Sequence, residues 1–372
     1  MKVVFWLSTG FVAYTYLGYP AWVYLRSRMR PSLTKTAPIL PFVSIVMAVR
    51  NEDRVLQRKL KNLHQLHYPD ECLEILVVSD GSTDTTNDIL VESESVRLRP
   101  IILAKQVGKA SALNAGIEVA RGEILVFVDA RQQIEPQAIE RLVSNFADPT
   151  VGCVSGELMF GDPDDRSPSS GIGMYWNIEK KVRLWEAMAG SVVGATGALY
   201  AVRRKLAVRL PEDLILDDVF IPMHIARQGA RVIFDARARA WDEWRPSPQQ
   251  EFRRKVRTLA GNFQLLQFEP WLLTKQNPLR FELISHKLLR LFVPFALVAA
   301  LVSSSLAYGP VYHLAAVVQL AFYGLAILPL LHLNLGVFGR LANLAMTFLL
   351  LNTAAVAALV SFVRGRKQLW VR

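Results

Sequence analysis

Between Arg290 and Arg340 the chain carries no charged residue. A helix crosses a bilayer core of roughly 30 Å with about 20 apolar residues, so this stretch has the length of two spans. Tyr308-Gly309-Pro310 breaks it near the middle, where a tight turn joins two helices. A third apolar segment runs from Leu341 to Val363. Near the other end, Val3 to Leu25 is free of charge over about 23 positions, again enough to span. Buried core helices of a water-soluble protein are the competing reading, and an uncharged stretch this long speaks against it.

Arg26, Arg28, Arg30 and Lys35 follow the first apolar segment at once. Basic flanks stay on the cytosolic side, so the chain is expected to leave this span into the cytosol. The apolar run is longer than the core of a secretory signal, and no small-residue cleavage site stands out. It reads as a retained anchor. One N-terminal and three C-terminal spans would then put Arg364, Arg366, Lys367 and Arg372 outside, against the same bias. Either the tail breaks the rule or one apolar stretch does not span.

Of the 372 residues, 52% are hydrophobic and 20% charged, a balance too apolar for a soluble protein and too charged for a bare membrane bundle. A charged domain between apolar ends is the consistent arrangement. The whole chain's net charge of +11 suits a surface facing anionic lipid and a phosphorylated ligand. Cys72 and Cys153 lie in apolar surroundings and build neither a disulfide framework nor a thiolate metal site. The six histidines show no metal-ligand spacing.

From Phe42 to about Phe234 short β-branched runs alternate with helical patterns. Val43–Val49, Leu73–Val78, Pro100–Leu103 and Ile124–Val128 read as strands, with helices after the first three. This alternation predicts an α/β fold, a mostly parallel sheet with helices on both faces. In such sheets ligands bind beyond the carboxyl ends of the strands, where Asp80 and Asp129 stand. Walker and GxGxxG loops are absent, which argues against ATPases and dinucleotide enzymes. Gly161 to Ser170 is a polar loop rich in Pro, Asp and Ser. Farther on, Phe252, Val256, Leu259, Phe263 and Leu266 make one apolar helix face, with Arg253, Arg254, Lys255 and Arg257 around the rest. A basic amphipathic helix beside membrane spans lies flat in the interface. A nucleic-acid patch is the rival reading and has no supporting fold signal.

Four motifs occur in order. They are Val43-Ser44-Ile45-Val46 with Arg50-Asn51-Glu52; Ser79-Asp80-Gly81-Ser82-Thr83-Asp84; Gly108-Lys109-Ala110-Ser111-Ala112-Leu113-Asn114; and Val126-Phe127-Val128-Asp129. Together they resemble the family 2 glycosyltransferases, whose nucleotide-binding fold is called GT-A. Leu216-Asp217-Asp218 is similar to that family's Thr-Glu-Asp catalytic motif. The likeness spans roughly residues 41 to 261, and the flanking helices resemble the membrane-bound branch that makes cellulose, hyaluronan and poly-N-acetylglucosamine.

The resemblance implies an inverting transfer of a sugar from a nucleotide-diphosphate donor, of the UDP type, to a lipid-linked or polysaccharide acceptor. It places Asn51, Glu52, Asp80, Lys109, Asp129, Arg131 and Arg257 on the donor side. Asp80 is suited to accept hydrogen bonds from a base or ribose; an Asp-Gly turn with Asp84 capping a helix is the plainer reading. Lys109 opens a helix, so its ammonium and the free backbone N–H groups both favour phosphate, against a solvated surface lysine. Asp129 is the expected ligand of Mg²⁺ or Mn²⁺, which would stabilise the departing nucleoside diphosphate. The family's Asp-x-Asp reads Asp129-Ala130-Arg131 here, so the second carboxylate is missing and Arg131 is placed to meet the diphosphate itself.

Asp218, with Asp217 beside it, is the expected general base, since an acceptor hydroxyl must lose its proton during attack. Like-charge repulsion within the pair raises one pKa. Two aspartates favouring a helix N-terminus are the competing reading. Gly194, Ala195, Thr196 and Gly197 form a small-residue loop on the acceptor side, or a plain strand-entry turn. Arg257 falls where processive synthases carry Gln-x-x-Arg-Trp, but Thr258 replaces the tryptophan, which leans against processive polymerisation.

The expected division is an anchor at 1–30, a GT-A domain at 38–245, interfacial helices at 246–290, and membrane helices with the tail at 291–372. The protein is expected in the plasma (inner) membrane with its catalytic domain cytosolic, in contact with lipids and not with nucleic acid. A catalytically degenerate membrane scaffold or nucleotide-sugar sensor is the alternative, motivated by Arg131. A transporter is disfavoured, because the apolar spans hold no ionisable residue to couple ions.

Overall fold

The computed structural model describes residues 1–161, 171–243, 247–331 and 338–365. Beyond Gly161, the polar loop falls outside the described residues, as do Arg366, Lys367 and Arg372 of the tail.

An eight-stranded sheet of order β3-β2-β1-β4-β7-β6-β8-β5 forms the core. Its first half consists of β1 (Val43–Val49), β2 (Leu73–Asp80), β3 (Leu98–Leu103) and β4 (Ile124–Val128), all parallel. β1, β2 and β4 are buried along nearly their whole length, as runs of Val, Ile and Leu must be when helices cover both faces. Pro100 sits in β3, the edge strand, where a missing N–H is tolerated. The second half is mixed. β7 (Leu199–Arg203) runs antiparallel to β4 and to β6 (Val151–Phe160). β8 (Arg231–Asp242) lies parallel to β6, and the short β5 (Gln133–Ile134) closes antiparallel on β8.

The helices of the parallel half are α3 (Asp53–His64), α4 (Thr86–Glu92) and α5 (Lys109–Val119), counted after the N-terminal α1 (Lys2–Ala13) and α2 (Tyr19–Met29), while α6 (Ala138–Ser144) packs on β6 and β8 of the mixed half. α1 and α2 form one unbroken helix through a π turn at Tyr14–Gly18. The mixed half carries α7 (Gly171–Ala189) and α8 (Asp217–Arg227). α9 (Pro248–Phe268) follows, opened by a capping box of Ser247 and Gln250. Its apolar face is the one the spacing predicts: Val256 and Ala260 are buried, with Phe252, Leu259 and Phe263 packed beside them.

α10 (Arg280–Glu282) continues through a second π turn into α11 (Leu289–Leu306), followed by α12 (Pro310–Ile327) and α13 (Phe338–Val363). Among the described residues three helices are long and apolar enough to cross a membrane: Arg280–Leu306, Pro310–Ile327 and Phe338–Val363, with mean hydropathies of 1.9, 1.5 and 2.0. The N-terminal helix matches them in length and is richer in Tyr, Ser and Thr. It packs along the bundle, with Phe5 edge-on to Tyr312, Tyr14 bonded to Ser285, and Arg26 paired with Glu282 at 2.7 Å.

The structure resolves the awkward end of the chain. Ala354 and Ala358 of α13 are buried against Val256 and Ala260 of α9, and Phe362 stacks on Phe263. α9 in turn is pinned to the domain, with Gly261 against Ile215 and Leu216. Arg364, one residue past α13, therefore lies on the domain's side of the bundle, not on the far side.

Candidate active site

Asp80 ends β2 and is buried. Its two carboxylate oxygens accept the Val107 and Gly108 N–H groups at 2.6 and 3.0 Å. The carboxylate thus clamps the segment that opens α5 and presents Lys109. Gly81 makes this clamp possible: its φ is +59°, and a Cβ there would lie 2.4 Å from the Gln106 nitrogen. Asn51 ties the loops after β1 and β2 together, its side-chain oxygen accepting the Thr83 N–H at 2.8 Å. The Glu52 N–H donates to Thr86 Oγ1, and Asp84 caps the same turn through the Thr86 N–H.

Lys109 is the centre of the site. Its Nζ lies 3.1 Å from Asp129 Oδ1 and 3.3 Å from Asp217 Oδ1, so one ammonium joins the end of β4 to the start of α8. Burial works against the charge, but Asp129 and Asp217 outweigh it and hold the Lys109 pKa above its ordinary value. Asp217 also accepts a hydrogen bond from Tyr200 at 3.2 Å, and Tyr200 stacks on Phe127 of β4.

Asp218 stands beside this group on α8. The Gly197 N–H donates to its Oδ2 at 3.2 Å, and the Ala195 N–H donates to its backbone oxygen. A Cβ at Gly197 would come within 3.3 Å of Oδ2, so this loop needs its small residue for close approach. Burial, then the Asp217 charge, raise the Asp218 carboxyl to about 6, with Lys287 and Lys109 opposing. The loop is braced from behind by Arg183 of α7. Its guanidinium donates to Thr196 Oγ1 and Ser155 Oγ at 2.5 and 3.0 Å, and to the Gly194 oxygen at 3.3 Å. On the other flank, Gln264 of α9 bonds Ile215 N and Asp213 O, fixing the approach to Asp217.

Two of the expected donor-side residues are placed away from this centre. Arg131 turns from Asp129 to Asp242, with Nε and Nη2 at 3.2 and 2.7 Å from its two oxygens. Gln132 binds the same buried carboxylate, and Lys59 donates to the Gln132 oxygen at 2.6 Å. Burial pushes Lys59 down to about 7, with nearby Asp129 opposing. The segment after Asp129 is thus stiffened by a buried network. Arg257 is exposed on α9 and makes no ion pair among the described residues.

The residues present fit a divalent cation in one way. Among the described residues no group of three or more His, Cys, Asp or Glu could hold a metal. Asp129 offers one carboxylate, and the remaining ligands would have to come from the donor's diphosphate and water, as is usual for Mg²⁺. Sequence reasoning missed Arg183, Tyr200, Asp242, Gln264 and Lys59. None lies in a motif, and each matters only through contacts that the fold creates.

Comparison with known proteins matches residues 44–210 to the model of glycosyl transferase family 2. That stretch is similar to the family over 167 of the 372 residues. The match covers β1 to β7 and ends just short of the Asp217-Asp218 pair. A probable glycosyltransferase of Bacillus subtilis, YdaM, is 27% identical over 237 residues, 60% of this chain and 56% of that protein. A poly-β-1,6-N-acetyl-D-glucosamine synthase of Staphylococcus aureus is 26% identical over 272 residues, 69% of this chain and 64% of that protein. The chain thus spans rather more than half the length of these relatives. Among solved structures, the mannosyltransferase PcManGT of Pyrobaculum calidifontis, in complex with GDP-Man and Mn²⁺, superposes with a TM-score of 0.76 at 23% identity. That likeness covers 98% of this chain and 100% of that one. It extends the shared fold beyond residues 44–210 into the apolar helices.

Proposed function

We propose that the chain transfers a sugar, with inversion, from a nucleoside-diphosphate sugar to an acceptor at the membrane face of its transferase domain. The observation that carries this reading is the Lys109 bridge. One ammonium sits between Asp129, at the carboxyl end of a parallel strand, and Asp217, next to the half-buried Asp218. A diphosphate arriving at the start of α5 would meet Lys109 and the free N–H groups of that helix, both of which favour anions. Asp218, with its carboxyl at about 6, would be ionised near neutral pH and still basic enough to take the proton of an attacking hydroxyl.

Asp129 would hold a divalent cation shared with the diphosphate, and that cation would supply charge stabilisation to the leaving group. The rest of the work falls to this chain's own groups: Asp80 presents Lys109, Tyr200 orients Asp217, and the Arg183-braced loop orients Asp218. UDP is the nucleotide we favour, with cytosolic placement of the domain in the inner membrane. The division at residues 30, 38, 245 and 290 goes with that reading, as do the donor-side roles of Asn51, Glu52 and Arg257 and the acceptor-side role of 194–197.

The test is a panel of UDP- and GDP-sugars incubated with the full chain in membranes, with release of nucleotide and transfer of sugar both measured. Turnover with one donor, abolished by Asp218→Asn, is the expected result. Nucleotide binding without release from any donor would instead favour a silent scaffold, the reading that the redirected Arg131 recommends.

A further inference from the structure

α7 carries Glu179, Arg183 and Glu186, spaced four and three apart and so stacked on one side of the helix. His286, of the apolar helix Arg280–Leu306, sits between the two carboxylates. Its Nε2 lies 2.8 Å from Glu179 Oε1, and its Nδ1 lies 2.7 Å from Glu186 Oε1. A neutral imidazole keeps a bare lone pair on one nitrogen, which would repel the carboxylate facing it. Two carboxylates on one ring therefore call for the imidazolium. Arg290 adds a second cation, 2.7 Å from Glu179, and the Tyr19 hydroxyl donates to Glu186 from the N-terminal helix.

Buried charges are a poor way merely to hold two helices together, since apolar side chains of similar volume do so at least as well. What this cluster fixes is geometry. Glu186 and His286 are 1% and 3% exposed, so a turn or slide of α7 that parted them would leave a buried charge unmatched. Arg183 lies between the two gripped carboxylates, with its guanidinium 5.1 Å from the centre of the Phe234 ring. Its fork reaches Thr196, Ser155 and Gly194, and Ser155 Oγ also accepts the Thr196 N–H at 3.0 Å. The next N–H of that loop, at Gly197, is the one that donates to Asp218. One helix face, one guanidinium and one loop thus connect the His286 ring to the Asp218 carboxylate.

We propose that His286, held as an imidazolium between Glu179 and Glu186, is the positioning residue that sets the 194–197 loop on Asp218. It acts through α7 and touches no reacting atom. Its effect on rate rests on the transferase reading above; its effect on the loop does not.

The test reads the loop directly, by amide hydrogen exchange of the full chain in nanodiscs. In His286→Gln the Ala195 and Gly197 amides, which donate to Asp218, are expected to exchange about tenfold faster, equivalent to about 1.4 kcal/mol. The Val107 and Gly108 amides, held by Asp80, are expected to keep their wild-type rates. His286→Arg, which can donate to both carboxylates, is expected to keep the loop protected. Unchanged exchange at Ala195 and Gly197 in His286→Gln overturns the proposal. Equal acceleration at all four amides overturns it as well, because the histidine would then only hold the fold together. Should His286→Gln fail to fold, two measurements decide. Nitrogen-15 resonances of wild-type His286 are expected to show both ring nitrogens protonated at pH 7, and a neutral ring overturns the proposal. Arg183→Lys, which keeps the charge and loses the fork, is expected to quicken the same two amides alone, and unchanged exchange there overturns it too. With a donor that turns over, His286→Gln is expected to lower kcat by about tenfold or more and leave KM within about twofold. A change confined to KM removes the positioning role. Absence of turnover with every donor would sink the transferase reading and leave the exchange result standing.

Discussion

The Asp80–Lys109 side and the Asp218 side of the candidate site are assembled over different ranges of the chain. On the first, Asp80 reaches the Val107 and Gly108 amides 27 and 28 positions away, in the parallel half of the sheet. On the second, Asp218 depends on a loop braced from α7, while α7 is locked to the apolar helices through Glu186, Tyr19 and His286. Tyr14 meets Ser285 across 271 positions in the same junction. Local construction leaves motifs; distant construction leaves scattered polar residues on helix faces. The setting of Asp218 is therefore as much a product of the apolar helices as of the sheet domain.

Five substitutions or titrations sharpen that contrast. Asp218→Asn should lower transfer by about 10²- to 10⁴-fold, the range for loss of a general base, while nucleotide affinity stays near wild type. A parallel loss of nucleotide binding would mean that the two sides are not separable. Lys109→Met should act on the donor side instead. It removes a charge-assisted contact worth about 1.5–3 kcal/mol, so nucleotide affinity should fall by about tenfold or more, read by titration of nucleoside diphosphate. An unchanged dissociation constant would leave Lys109 as a structural bridge only.

Arg131→Ala distinguishes the two roles open to that residue. If it serves Asp242, whose side chain is fully buried, the variant should lose stability by about 3–5 kcal/mol with donor affinity unchanged. Weaker donor binding at wild-type melting temperature would restore Arg131 to the diphosphate.

Two pH effects follow, with different signs of argument. With Asp218 as the proposed base, transfer requires it ionised, so initial rates should fall as pH drops through about 6 and level off above it. A rate flat from pH 5 to 8 would remove Asp218 from the role of base. Lys59 gives the smaller effect. Its pKa is about 7 in the fold and about 10.4 in the unfolded chain, so between these values the unfolded chain binds the extra proton. Its contribution to stability should rise with pH across that window, and Lys59→Met should flatten the dependence of melting temperature on pH.

Much of this molecule was legible before its coordinates. The buried runs Val43–Val49, Leu73–Val78 and Ile124–Val128 announce parallel strands, because a sheet covered on both faces needs apolar residues on both. The carboxyl ends of those strands then locate Asp80 and Asp129. The spacing from Phe252 to Leu266 likewise predicts the face that α9 buries. The side chains' partners were not legible. Arg131 follows Asp129 and would meet a diphosphate by position, yet it turns to Asp242, because a buried carboxylate binds the nearest guanidinium it can reach. The packing of α13 on α9 was not legible either, since hydropathy records how apolar a helix is and not what it packs against.

The sequence by itself determined the parallel half-sheet, the order of the donor motifs and the apolar helices, all of which follow from patterns within a few tens of residues. Tertiary structure alone decided that Lys109 bridges Asp129 and Asp217, that Arg183 and Gln264 hold the loops around Asp218, and that α13 packs on α9. The physical reason is range. Hydrophobic periodicity and turn chemistry act between near neighbours, whereas the field and hydrogen bonds at one carboxylate come from whichever distant segments packing brings within a few ångströms.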